Sequence, residues 1–207
     1  MAGKQAKILT DTAVAAMLRW CGERRRYPHR DKVVVLLSVK AGLRAMEIAG
    51  LRRWHVMDAS GAIDDTIHLE DAICKKGSGR AIPMAPALFE HVAALFRAVP
   101  GWPRDPLILS ERALREDPGE PGTAKLQCMT PRSIVHLFGL MYGELGLVGC
   151  SSHSGRRTFG TRAARKVVEA GGSLRDVQQL LGHKDLSTTQ KYIDGSEDAK
   201  RQLVRLI

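Results

Sequence analysis

From position 10 to 24 the apolar residues recur at Val14, Met17, Leu18 and Cys21. That spacing of three and four predicts an amphipathic helix, capped by Thr10 or Asp11. Its end is the cluster Arg24-Arg25-Arg26, expected to face solvent or a bound partner. Pro28 opens a second helix through the unbroken run Val33-Val34-Val35-Leu36-Leu37, which breaks at Gly42 and restarts at Arg44. The period then changes. Ile67, Leu69 and Ile73 approach a Gly77-Ser78-Gly79 turn, and a short return strand ends at Pro83, so about 67–84 reads as a three-stranded antiparallel patch. Helices are predicted over 85–99, 131–144, 153–170, 173–181 and 187–192, with a tail helix from Ser196. Between them, 100–128 is rich in Pro and Gly and reads as a loop carrying one apolar piece, Leu107-Ile108-Leu109. The fold class expected is mainly α with a small antiparallel β-sheet, an α+β arrangement.

Size and charge narrow the possibilities. A chain of 207 residues, 44% of them hydrophobic, can bury one good core. A single domain over 10–195 is therefore expected, between a short tail at 1–9 and the tail helix at 196–207. The 32 basic residues outnumber 22 acidic ones, a net charge of +10 that suits a polyanionic partner such as nucleic acid. Cys21, Cys74, Cys128 and Cys150 form no Cys-x-x-Cys pair and have no histidines at zinc spacing, so reduced thiols are expected. With no apolar stretch of spanning length and no signal-like N-terminus, a cytoplasmic protein that neither crosses a membrane nor is exported is expected.

The chemistry lies in a few spaced residues. His153-Ser-Gly-Arg156-Arg157 puts a histidine and an arginine three apart on one helical face, able to converge on a single phosphate. Leu181-Gly182-His183 follows, and then Tyr192. A phenol has a pKa of about 10, so at neutral pH it attacks phosphorus only with a base beside it and cations around the phosphate. Arg44, at a helix start after a glycine break, supplies a fork for phosphate oxygens. Glu47, one turn on, is placed to orient it. A lysine entering the hairpin, Lys75 or Lys76, would reach into a groove from its tip. No carboxylate cluster suits a two-metal nuclease, so neither a catalytic metal nor any other cofactor is expected. Singly, each of these residues has an ordinary structural explanation. As one ordered set, supported by Gly42, Pro83, Phe159 and Leu181-Gly182, they define a site. His29, His55, His68, His91 and His136 match no motif, nor do Trp20, Trp54 and Trp102.

In this order the residues resemble the tyrosine recombinase (phage integrase) family, over about 9–193. The resemblance implies Arg44 as the first arginine and Lys75 as the hairpin lysine, standing eight residues before Pro83 in a Lys-x-Gly-x-x-Arg-x-Ile-Pro pattern, with Lys76 as the fallback. His153 and Arg156 fill the His-x-x-Arg pair, His183 the Leu-Gly-His position and Tyr192 the nucleophile. Lys76, Arg80 and Arg157 are expected DNA contacts. The implied chemistry is cleavage through a 3′-phosphotyrosyl link, with Lys75 protonating the leaving oxygen, His153 as acid/base and His183 donating a hydrogen bond to the phosphate. Gly155 departs from the family, which more often has a bulky apolar residue there, and Arg157 stands where histidine is common. The short N-terminus resembles single-domain members, such as those inverting fimbrial promoter elements. It leaves room for an accessory DNA-binding protein. A homo-tetramer on synapsed DNA, linked by the tail helix, is also implied. The other readings are a type IB topoisomerase-like enzyme and an inactive DNA-binding accessory protein.

Overall fold

The computed structural model describes residues 6–75, 77–115, 127–190, 192, 201, 204 and 205. Its first helix, α1 (Asp11–Arg24), begins where Thr10 Oγ1 accepts the Ala13 N–H at 3.1 Å. Val14, Met17, Trp20 and Cys21 are buried on one stripe. The Trp20 indole N–H donates to Glu144 at 2.7 Å, tying α1 to a distant helix. Arg25 turns inwards, pairing with Asp31 at 2.8 Å and Glu111 at 2.9 Å. The solvent-facing Arg24-Arg25-Arg26 cluster expected from sequence therefore splits, because buried Asp31 needs a cation.

The next helix, α2 (Pro28–Lys40), buries every residue from Val33 to Val39. A helix apolar all round must be enclosed. It packs against α1, against α4 (Pro86–Ala98) and against α7 (Ser154–Lys166). It ends at Gly42, whose φ of +67° lies in the left-handed region, and where a Cβ would stand 2.5 Å from the Phe159 ring. Arg44 then caps the short helix α3 (Ala45–Gly50).

Two strands, β1 (Thr66–Leu69) and β2 (Arg80–Pro83), pair antiparallel with Ile67 opposite Ile82 and Leu69 opposite Arg80. Among the described residues the sheet has two strands, not three. Ile73 leaves the strand because 71–73 closes a 3₁₀ turn, and the nearest further pairing is a single bridge between Met57 and Ile63. The loop expected over 100–128 holds a short helix, α5 (Glu111–Arg115), and a bridge from Leu109 to Cys128.

Three more helices follow, α6 (Pro131–Glu144), α8 (Leu174–Leu181) and α9 (Leu186–Gln190). The main core is built on α2 and reaches from Leu9 to Tyr142. A second, smaller cluster joins Ala164, Val177 and Leu181 to Phe159 and Tyr192. No described helix is long and apolar enough to cross a membrane. Of the tail helix expected from Ser196, Arg201, Val204 and Arg205 are helical and exposed, while the residues expected on its apolar stripe, Ala199, Leu203, Leu206 and Ile207, lie outside the described residues.

Candidate active site

The site forms where the two apolar clusters meet. Glu47 lies at its floor, 0% exposed. One carboxylate oxygen, Oε2, accepts the Arg44 backbone N–H at 2.8 Å, and Oε1 accepts from the Arg44 guanidinium at 2.7 Å. Arg80 reaches the same carboxylate from β2 with both terminal nitrogens, at 3.1 and 3.2 Å. Arg156 Nη1 stands 3.8 Å away. Burial alone would raise the Glu47 pKa. The hydrogen bonds and charge of Arg80, aided by Arg44 and Arg156, prevail and hold it below the usual carboxylate range.

Arg80 was expected to face DNA, but its side chain is only 6% exposed. Nε donates to the Leu180 carbonyl at 2.8 Å. Arg156 does the same one residue on, with Nη2 donating to the Leu181 carbonyl and Nη1 to the Gly42 carbonyl at 2.6 Å. Thus the C-terminal carbonyls of α8, which have no helical partner, are met by two cations at the negative end of the helix. Arg156 joins the Gly42 break to the second cluster. Burial, and then the charge of Arg44, push its pKa down to about 10, so it stays cationic at neutral pH. Two bonds leave its guanidinium with further donors.

Gly182 ends α8 in the left-handed region, with φ 59° and ψ 44°. It hands the chain to His183, whose main chain is pinned by Gln178: the buried amide donates to the His183 and Lys184 carbonyls at 2.9 and 3.0 Å. The His183 ring stacks on Tyr192, 5.8 Å between centroids and 18° between planes. Burial, then Arg156, Arg44 and Arg80, push its pKa down to about 4, so the imidazole is neutral at physiological pH. Tyr192 also packs on Gly160, where a Cβ would meet its ring at 3.0 Å.

Arg44, His153, Arg156, His183 and Tyr192 together line a pocket of about 320 Å³, walled also by Ala6, Arg157 and Thr188. His153 occupies the N-cap of α7 and is exposed. Lys75 is exposed beside the hairpin turn and is not among the pocket's residues; its carbonyl accepts the Ser78 hydroxyl at 3.1 Å. The turn itself is clamped by the Gly79 N–H donating to Asp71 at 2.7 Å. It shares a second, open groove of about 660 Å³ with α8, and His183 lines both cavities. Lys76 lies outside the described residues. Among the described residues no group of three His, Cys, Asp or Glu side chains is placed to hold a metal ion.

Three contributors escaped the sequence reading. Gln178 and Thr189 hold His183, yet a glutamine and a threonine in helices carry no motif. Ser38 explains Gly155: a Cβ there would sit 2.2 Å from the Ser38 hydroxyl oxygen, so Ser38 takes the space a larger side chain would need.

The sequence profile described as the phage integrase family matches residues 7–198. A tyrosine recombinase XerC of Rhodospirillum centenum is 31% identical over 192 residues, covering 91% of this chain and 48% of the relative. A tyrosine recombinase XerA of Thermococcus kodakarensis is 28% identical over 189 residues, covering 90% and 57% respectively. The chain thus spans about half the length of the curated relatives it matches. Among solved structures, a XerA recombinase superposes with a TM-score of 0.68 at 19% identity, covering 96% of this chain and 64% of the other. The Tn1549 transposon integrase in complex with transposon right-end DNA gives 0.71 at 18% identity, covering 99% and 67%. At those identities the structures share the fold.

Proposed function

Since this chain belongs to the phage integrase family, we propose that it is a site-specific DNA recombinase, cleaving and rejoining strands through a covalent link to Tyr192. The observation that carries this reading is the convergence of Arg44, His153, Arg156, His183 and Tyr192 on one pocket. These residues are scattered over most of the chain, and a core alone has no need to gather them beside an exposed cavity. The relatives are named as tyrosine recombinases, which favours strand exchange over simple relaxation of supercoils.

In the proposed reaction the Tyr192 oxygen attacks phosphorus as its proton passes to a base, for which His153 is the candidate. Arg44 and Arg156 bind the non-bridging oxygens and stabilise the charge that builds in the pentacoordinate transition state. Neutral His183 adds a hydrogen bond. The O5′–P bond breaks and Lys75, swinging in from the hairpin, supplies the proton that makes the 5′-hydroxyl. Such proton transfers are each worth about 10²–10⁴-fold. The phosphotyrosyl ester keeps the bond energy, so a 5′-hydroxyl from another strand reverses the step without ATP. The basic excess draws in double-stranded DNA, with Arg157 and Lys76 as backbone contacts. Exchange of two duplexes requires four cleavages, hence a homo-tetramer, with residues 196–207 of each protomer docking on the next. An accessory DNA-binding protein would supplement the duplex grip of the catalytic domain.

The test is to incubate the protein with sheared host genomic DNA, denature, recover protein-linked fragments and sequence their ends. A discrete cleavage site, lost in Tyr192→Phe, is expected. Adduct that persists undiminished in Tyr192→Phe would overturn the assignment.

A further inference from the structure

His183 can serve a phosphate in only one of its two neutral forms. A neutral imidazole carries one N–H and one lone pair, so the nitrogen facing the phosphate must be the one bearing hydrogen. Nδ1 of His183 lies 2.9 Å from Oγ1 of Thr189. The Thr189 side chain is fully buried. Among the described residues its hydroxyl makes no other hydrogen bond, so its proton has Nδ1 as its acceptor. Were Nδ1 protonated instead, it would donate to Oγ1 and leave the hydroxyl proton buried without a partner, which is unfavourable.

We propose that Thr189 is a positioning residue, whose hydroxyl donates to His183 Nδ1 and so holds the ring in the tautomer that presents Nε2–H to the pocket. The assignment rests on the reading of His183 as the phosphate-facing imidazole. Thr189 also accepts the Tyr192 backbone N–H on its carbonyl, at 3.0 Å. One residue therefore sets the histidine's hydrogen-bonding face and starts the turn carrying the nucleophile. The neutrality that makes a tautomer matter comes from burial and from Arg156, Arg44 and Arg80 around the ring, opposed by Glu47.

Long-range ¹H–¹⁵N correlation spectra of the histidine rings, in the free ¹⁵N-labelled protein at neutral pH, test this directly. The His183 signals are assigned by their loss in His183→Gln. In the wild type, a single Nε2–H pattern is expected; an Nδ1–H pattern overturns the proposal before any variant is made. Thr189→Val, which keeps the shape and removes the hydroxyl, should give a mixture of tautomers, and Thr189→Ser should restore the wild-type pattern. Adduct formation on sheared genomic DNA should fall about 10–100-fold in Thr189→Val, by analogy with the loss of a partner that orients a metal-ligating histidine, and recover in Thr189→Ser. An unchanged tautomer ratio in Thr189→Val, or a Thr189→Ser that behaves like it, refutes the role. The spectra need no DNA, so failure of the recombinase reading would show separately, as adduct that Tyr192→Phe does not remove.

Discussion

Glu47 and Arg80, 33 positions apart, meet in a two-point ion pair beneath the pocket, with contacts of 3.2 and 3.1 Å. The pair ties the return strand of the hairpin to the helix start that carries Arg44. Because Arg80 also holds the Leu180 carbonyl, the same contact fixes the end of α8 and the approach to His183.

Replacing Arg80 by methionine leaves Glu47 with one fewer cation in a buried setting. A loss of about 3–5 kcal/mol in unfolding free energy is expected, the range for breaking one side of a buried pair. Since the side chain is enclosed, the salt dependence of DNA binding should keep its wild-type slope. Urea melts and salt titrations of binding decide this; a slope reduced by about one unit would return Arg80 to the DNA contacts.

The pH dependence of stability follows from Glu47. Its native pKa lies below the ordinary 4.5, so its contribution is complete above the unfolded value and is lost as pH falls through the native one. Glu47→Gln is expected to be less stable than wild type at pH 7, with the gap closing below about pH 4.5. A gap that stays constant to pH 3 would rule out the carboxylate as the source.

His183 titrates in the opposite sense from a histidine that gains an acidic partner. Its native pKa is pushed from 6.5 to about 4, so its neutral form is native and the unfolded chain takes up the extra proton. Stability linked to it is intact above about pH 6.5 and declines towards pH 4; His183→Gln should flatten that limb. Binding of a DNA phosphate brings negative charge to the ring and should move its titration upward in NMR spectra. Protonation near pH 6.5 in the free protein would contradict the electrostatics of Arg156, Arg44 and Arg80.

Lys75 stands outside the pocket, so its proposed role requires the hairpin to move. Lys75→Ala should slow cleavage by about 10²–10⁴-fold with an oxygen leaving group, the range for general acid catalysis. With a 5′-bridging phosphorothiolate, whose thiolate needs no proton, the defect should largely vanish. Rescue confined to Lys76→Ala would move the role by one residue.

Deleting residues 196–207 should leave binding to a single duplex near wild type while weakening synapsis and recombination. Light scattering of the synaptic complexes reads the assembly, and an unchanged tetramer after deletion would refute tail docking.

The sequence by itself determined the longer helices and the order in which the site residues occur, but not the five-residue α5 inside the expected loop. Strong periodicity from Thr10, the apolar run at 33–37 and the Gly42 break each carry their own local cause in capping, burial and backbone freedom. Arg44, His153, Arg156, His183 and Tyr192 stood out in the sequence because the proposed phosphoryl chemistry would need cations, a base and a nucleophile in an ordered set, and the fold gathers these five on one pocket. Tertiary structure decided what each cation faces. Arg80 and Arg25 look like surface charges in a linear reading, and only the fold reveals that buried Glu47 and Asp31 call them inwards. Gly155 looks like a departure until Ser38 is seen to fill its space. Thr189 and Gln178 gain their places for the same reason: a hydrogen bond is a matter of a few ångströms between groups, and only the folded chain sets that distance.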